Sequence, residues 1–290
     1  MRLEDWGISA GVLFSPWTLA VLGLCIGSFL NVVIHRLPLM LERQWRRDSA
    51  EVLGLDADPA PDGVPLSLAR PRSRCPSCKS PLTWTQNIPL LSYLFLRGRC
   101  AGCGVKIPLR YPLVEVACAV LFALVGWQVG PQPSVLLWCG VVATLLALAV
   151  IDWDTTLLPD DLTLPLLWAG LVAAALGWTL PLATAVWGAV AGYLSLWTVY
   201  WAFKLATGKE GMGHGDFKLL AALGAWLGAS MIVPVVLAAS VIGAFVGIAM
   251  KVGDTLREGR YVPFGPFLAG AGIVVMLAGS DRVLDWLGWV

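Results

Sequence analysis

At 290 residues the chain is long enough for about two ordinary soluble domains, but 58% of its residues are hydrophobic and only 13% are charged, with a mean hydropathy of +0.75. Those proportions exclude a soluble globular pair and place the chain in a membrane. A net charge of +1 gives no broad basic field, so nucleic acid is not an expected partner and membrane lipid is.

The opening residues mix acid with base and lack a cationic stretch followed by a small-residue cleavage site, so no removable signal peptide is expected. Apolar runs long enough to cross about 30 Å of hydrocarbon follow at residues 16–35, 111–130, 134–151, 162–180, 182–205, 231–250 and 263–279, with a shorter, tilted or half-embedded run at 217–229. The fold class expected is an all-α polytopic membrane protein of about eight transmembrane helices. Eight crossings put both chain ends on one side, and only Arg2 and Arg282 of the 20 Lys and Arg residues then lie on that side. The opposite face, with the loop 37–110 and the loops 153–161, 206–215 and 251–261, is therefore cytoplasmic. The expected division is a first span at 1–38, a cytoplasmic loop at 39–110 and a transmembrane domain at 111–290.

Within the long loop, "CPSCKSPLTWTQNIPLLSYLFLRGRCAGC" carries Cys75, Cys78, Cys100 and Cys103 as two Cys-x-x-Cys knuckles. Four thiolates at that spacing can close a tetrahedral zinc site, and a cytosolic loop is too reducing for structural disulfides to persist. Four cysteines leave no coordination position for water, so the metal is expected to fold the loop and not to catalyse. The acidic, proline-bearing stretch 51–62 has too few apolar residues to build a core of its own. Cys25, Cys118 and Cys139 fall inside spans and are expected as small buried apolar residues.

The third span ends at Asp152 in "LAVIDWDTTLLPDDLTLP", where Asp154, Asp160 and Asp161 follow. Ionisable groups at the end of a span are functional-site hypotheses by default. Asp154 is expected as a solvated interfacial residue, and Asp160 or Asp161 as the N-cap of the helix through Leu162. Further on, "GMGHGDFKLLAALG" sets Gly211, Gly213 and Gly215 just ahead of Asp216. Glycines in that frame imply close backbone approach or positive φ, and backbone opened at a membrane edge survives only against protein or water. Two carboxyls around one water can divide peptide hydrolysis between a base and an acid. Asp152 at a helix C terminus and Asp216 at a helix N terminus suggest Asp216 as resting base and Asp152 as resting acid. His214 is not needed by an aspartate pair, and no serine-triad or His-Glu-x-x-His pattern is present.

These residues together resemble the type IV prepilin peptidases, bifunctional leader peptidases and N-methyltransferases of pilus and type II secretion systems. "GSFLNVVIHRLP" is similar to the family's first-span exit, the four-cysteine loop to its cytoplasmic domain, and "GMGHGD" carries the Gly-x-Gly-Asp signature shared with presenilin-like aspartyl proteases. The family's Asp-x6-Pro-Asn/Asp pattern falls on Asp152 and Pro159, so the resemblance selects Asp152 over Asp154 and pairs it with Asp216. It implies removal of a short basic leader after a glycine, on the cytoplasmic side of the bacterial inner membrane. Substrates would be type IV prepilins or type II secretion pseudopilins, and the new N-terminal residue would be methylated from S-adenosylmethionine. The family links a Gly-Lys pair ahead of the third cysteine with methylation; here it reads Gly98-Arg99, which keeps the charge but excludes a role for a deprotonatable lysine. The competing expectations are an ion-coupled transporter with Asp152 and Asp216 as cation or proton sites, and a scaffold whose zinc loop recruits partners.

Overall fold

In hydrocarbon every main-chain donor and acceptor must be bonded within its own segment, which leaves a chain this apolar only the helix or the closed barrel. The computed structural model describes residues 10–55, 66–253 and 262–289, and among them the answer is helical, with no β-strand beyond two isolated bridges. In chain order the helices are α1 (Ala10–Leu13), α2 (Pro16–Val52), α3 (Leu91–Phe95), α4 (Arg110–Val129), α5 (Val135–Thr155), α6 (Asp160–Ala175), α7 (Leu182–Thr207), α8 (His214–Leu227), α9 (Ile232–Val252), α10 (Gly265–Ala278) and α11 (Ser280–Leu287). Packing divides the chain into two units, Met1–Ala143 and Thr144–Val290, with α5 running through the boundary.

In the first unit α2 starts sharply. Ser15 caps it, its hydroxyl accepting from the Thr18 amide at 3.3 Å, and Pro16 needs no donor at the first helical position. The helix does not stop where the apolar run ends near residue 38 but continues to Val52, because Leu, Met, Glu, Arg and Gln are good helix formers and Glu42 pairs with Arg46 one turn on at 2.6 Å. α4 lies along α2, with Gly23 and Gly27 against the main chain of Ala119 and Glu115. Cys118 and Cys139 are buried as expected, whereas Cys25 is exposed on α2, on a helix whose buried face is the one bearing Gly23 and Gly27. Arg36 is buried and donates to the carbonyls of Ser67, Leu68 and Pro71 at 2.7–3.4 Å, tying the loop back to the helix. Most of the 51–62 stretch and of the 251–261 loop, and Arg2, lie outside the described residues.

In the second unit α8 is the hub. It packs against α6, α7, α9 and α10, and nearly all of it from Asp216 to Leu227 is buried. The backbones of α7 and α8 meet at Gly188 and Gly224, where neither position leaves room for a Cβ, the small-residue contact that lets helices approach closely in lipid. Trp226 donates its indole N–H to the Leu166 carbonyl of α6 at 2.9 Å.

Among the described residues five helices are long and apolar enough to cross a membrane: α2, α4, α5, α7, and α9 with the turn before it. The pair α10 and α11, bent by 100°, makes a sixth if counted as one span. α6 and α8, with 16 and 14 residues, reach only about 24 and 21 Å at ~1.5 Å per residue, short of the ~30 Å hydrocarbon core. Among the described residues that makes five or six helices long enough to cross and two shorter ones.

Candidate functional site

Asp152 stands in the last turn of α5 and Asp216 in the first turn of α8, the opposite helix ends that their sequence positions imply. Both are buried, Asp152 4% and Asp216 7% exposed, and among the described residues Glu115 is the one other buried acid, while Asp154 is exposed. The two carboxyls are close enough for the charge of Asp152 to act on Asp216. Among the described residues, Oδ2 of Asp152 and Oδ1 of Asp216 are buried oxygens with no hydrogen-bond partner. An acceptor left unbonded in a buried place destabilises the fold by about 1–3 kcal/mol, and such groups concentrate where chemistry needs them.

In the glycine frame ahead of Asp216, Gly211 and Gly215 serve close approach, to Phe203 and Leu158. Gly211, Gly213 and Gly215 are all outside the left-handed region. Gly213 is the N-cap of α8, and a Cβ built at Gly215 would stand 2.8 Å from Cβ of Leu158. A third element, absent from the sequence-based expectations, completes the site. Gly265, the first residue of α10, lies directly on Asp152: a Cβ there would be 2.5 Å from Oδ2 and 3.1 Å from Cγ. Trp153 and Phe267 pack edge to face beside it at 6.4 Å between centroids. Gly265 was invisible in sequence because it is one glycine in an apolar run; the flanking Pro263 and Pro266 were the only local sign of a helix start.

One expectation is corrected. Neither Asp160 nor Asp161 caps α6. The N-cap is Pro159, which offers no side-chain acceptor, and both acids sit in the first turn, where the helix dipole still favours them. Asp160 instead takes Lys218 of α8 through both carboxylate oxygens at 2.7 Å. Lys218 is thus held away from Asp216 by another acid. Glu210 is likewise engaged, by Lys204 at 2.8 Å, whose hydrogen bond holds its carboxyl below the ordinary value. His214 is exposed and stacks on Tyr200 and Phe217 at 5.2 and 5.3 Å, which accounts for it as an aromatic packing partner.

In the first unit, Cys75, Cys78, Cys100 and Cys103 bring their four sulfurs within 4.8 Å of one another. The Cys75–Cys103 and Cys78–Cys100 separations are 3.8 and 4.0 Å, near the ~3.8 Å between sulfurs that a tetrahedron of ~2.3 Å Zn–S bonds requires. The knuckles repeat one another. In each, the first cysteine's amide bonds five residues on, Cys75 to Ser80 and Cys100 to Val105 at 3.0 and 2.9 Å. Lys79 and Gly104 take positive φ at matching positions. The Ser80 side-chain hydrogen bond draws the Cys78 thiol down to about 6. Against a lowering bond from the Val105 main chain, burial and the neighbouring thiols push Cys103 up to about 11. Four thiolates cannot coexist there without a cation, so the donor set fits a divalent metal.

Gly98 is shaped by this same fold. It has φ +66°, its amide donates to Tyr93 and its carbonyl accepts from Ile107, both at 2.8 Å, and a Cβ would stand 2.7 Å from the Tyr93 hydroxyl. Its main chain is thus hydrogen-bonded within the knuckle and covered by the Tyr93 ring. Arg99 beside it is exposed.

Residues 21–129 match the family model of the bacterial peptidase A24 N-terminal domain, and residues 139–248 that of the type IV leader peptidase family. Relatives named prepilin leader peptidase/N-methyltransferase are similar over nearly the whole chain. That of Pseudomonas putida is 52% identical over 261 residues, covering 90% of each chain. That of Aeromonas hydrophila is 50% identical over 275 residues, 93% of this chain and 94% of its own. That of Pseudomonas aeruginosa is 48% identical over 291 residues, 99% and 98%. No solved structure matches.

Proposed function

The chain belongs to the type IV leader peptidase family, and from that premise we infer that it removes the leader of type IV prepilins and N-methylates the residue left at the new N terminus. It is an enzyme with protease and methyltransferase activity. We propose that Asp152 and Asp216 carry the hydrolytic step. The observation that supports them is the pair of buried, unpartnered carboxylate oxygens on two helix ends brought within electrostatic reach.

In this step the ionised acid takes a proton from water as the oxygen attacks the scissile carbonyl, and the protonated acid donates to the carbonyl oxygen. Collapse returns a proton to the leaving amide nitrogen, so that water's two hydrogens end on the new carboxyl and amine and the pair regains its starting state. Asp216 at the N terminus of α8 is assigned the base and Asp152 at the C terminus of α5 the acid. The start of α10 on Asp152 weakens that contrast, because a second helix end presents the Gly265 N–H to it. Infrared difference spectra of the two Asn variants read the order, and a higher pKa on Asp216 reverses the assignment.

The finer proposals follow from topology and chemistry. α6 and α8 complete eight membrane-embedded helices in the bacterial inner membrane, with both acids at the cytoplasmic face, where a prepilin held by its apolar helix leaves its basic leader in the cytosol. Pseudopilins of type II secretion present the same features and are proposed as substrates. The four cysteines hold a structural zinc. S-adenosylmethionine supplies the methyl group as a sulfonium, and Arg99 is the exposed cation of the Gly98–Arg99 pair available to an anionic part of that donor. Purified enzyme mixed with a prepilin in detergent tests the core proposal. A leader-length mass loss should vanish in both Asp152→Asn and Asp216→Asn; full processing by either variant refutes the pair, and a transporter or scaffold would give no mass loss at all.

A further inference from the structure

The turn from α5 to α6 takes a costly route. Thr156, a β-branched residue, adopts φ +54° with its amide on the Asp152 carbonyl at 2.8 Å, a conformation that non-glycine residues adopt at a cost of about 1–3 kcal/mol. The result is that Leu158 turns inward and is 9% exposed. Its side chain then meets two glycines from distant parts of the unit. Cβ, Cγ and Cδ1 of Leu158 lie 2.8, 3.5 and 3.3 Å from where a Gly215 Cβ would be, and Cδ1 lies 3.1 Å from where a Gly265 Cβ would be. Gly215 immediately precedes Asp216, and Gly265 covers the carboxyl of Asp152.

We propose that Leu158 is a positioning residue for the hydrolytic pair, a wedge between Gly215, which precedes Asp216, and Gly265, which covers Asp152, that sets how far apart the two acids stand. The proposal rests on the reading of Asp152 and Asp216 as that pair. Interiors are close-packed and compress little, so the thickness of one leucine side chain becomes a fixed separation. Hydrolysis through one shared water tolerates only about 0.5–1 Å of error in that separation. Leu158 is buried against main chain and does not face the cytosol, so it acts on the chemical step and leaves capture of the leader to other groups.

The test uses the full-length enzyme in detergent, with kcat and KM for prepilin cleavage and the thermal unfolding midpoint measured for Leu158→Ala, Leu158→Gly, Gly215→Ala and the Leu158→Gly/Gly215→Ala double variant. Leu158→Ala should lower kcat by about tenfold or more with KM within about twofold. Gly215→Ala should lower kcat similarly, and the double variant should exceed Gly215→Ala alone, because removing the Leu158 side chain clears the space the new methyl needs. General damage to the fold can only make the double variant worse. A wild-type kcat in Leu158→Ala overturns the wedge, and so does a double variant no better than Gly215→Ala. If Leu158→Gly does not fold, the split between kcat and KM in Leu158→Ala decides. Asp152→Asn and Asp216→Asn run alongside: cleavage by either defeats the hydrolytic pair itself, whereas inactive Asn variants beside an unaffected Leu158→Ala defeat only the wedge.

Discussion

Adding one methyl group at Gly265 perturbs the acid pair at its most crowded point. The Cβ of Gly265→Ala would stand 2.5 Å from Oδ2 of Asp152 and 3.1 Å from both its Cγ and Cδ1 of Leu158, where nonbonded carbon and oxygen ordinarily keep roughly 3.3–3.6 Å. The carboxyl must therefore retreat by about 0.8–1.1 Å. A displacement of about 1 Å lowers catalysis by roughly 100-fold, or about 2.7 kcal/mol of transition-state stabilisation. Stability should hardly follow. Gly265 is outside the left-handed region and opens a helix, so alanine fits its backbone and offsets some of the crowding by about 0.4–1 kcal/mol through the unfolded state. Steady-state cleavage of a prepilin and thermal unfolding in the same detergent check both halves. A Gly265→Ala enzyme within threefold of wild-type kcat refutes the contact with Asp152. One that loses activity only in step with its unfolding midpoint refutes the claim that the loss is local.

Purified protein should carry one zinc per chain by elemental analysis, and Cys75→Ser with Cys103→Ser should carry none and expose residues 66–110 to protease; a metal-free protein equally resistant contradicts the structural site. Of the three acids that could hold a basic leader, Asp160, Asp161 and Glu210, the first and last are engaged by Lys218 and Lys204, so Asp161→Lys should raise KM for the leader more at low salt than at high salt, whereas Asp160→Lys should shift stability by no more than about 1 kcal/mol; equal salt dependence in the two contradicts a leader grip at Asp161. His214→Asn should keep kcat within a few-fold, since it loses only ring packing on Tyr200 and Phe217; a tenfold or larger drop in kcat at an unchanged unfolding midpoint contradicts that.

What could be read in advance was what local pattern encodes. The cysteine spacing gave both knuckles, and their sulfurs do converge. The glycine frame marked Asp216 as an acid at an opened helix start, and the family resemblance through Pro159, which spacing alone could not replace, separated buried Asp152 from exposed Asp154. The misses share a cause, which is that the deciding partner is far away in the chain. Asp160 was taken for a cap because a cap is a local motif, yet its actual partner, Lys218, is 58 residues on. Gly265 carried no local signal of the carboxyl it covers. The end of α2 was missed for a different reason, since charge was taken as the end of the helix when it marks only the end of the hydrocarbon.

That helix has a mechanical consequence. With 37 residues it is about 55 Å long, and about 20 residues suffice to cross the bilayer, so some 25 Å of it stands clear of lipid as a stiff stalk. A dye placed at Val52 would ride at the tip of that stalk, and its distance from a lipid-borne quencher would report tilt of the first span magnified by the stalk's own length.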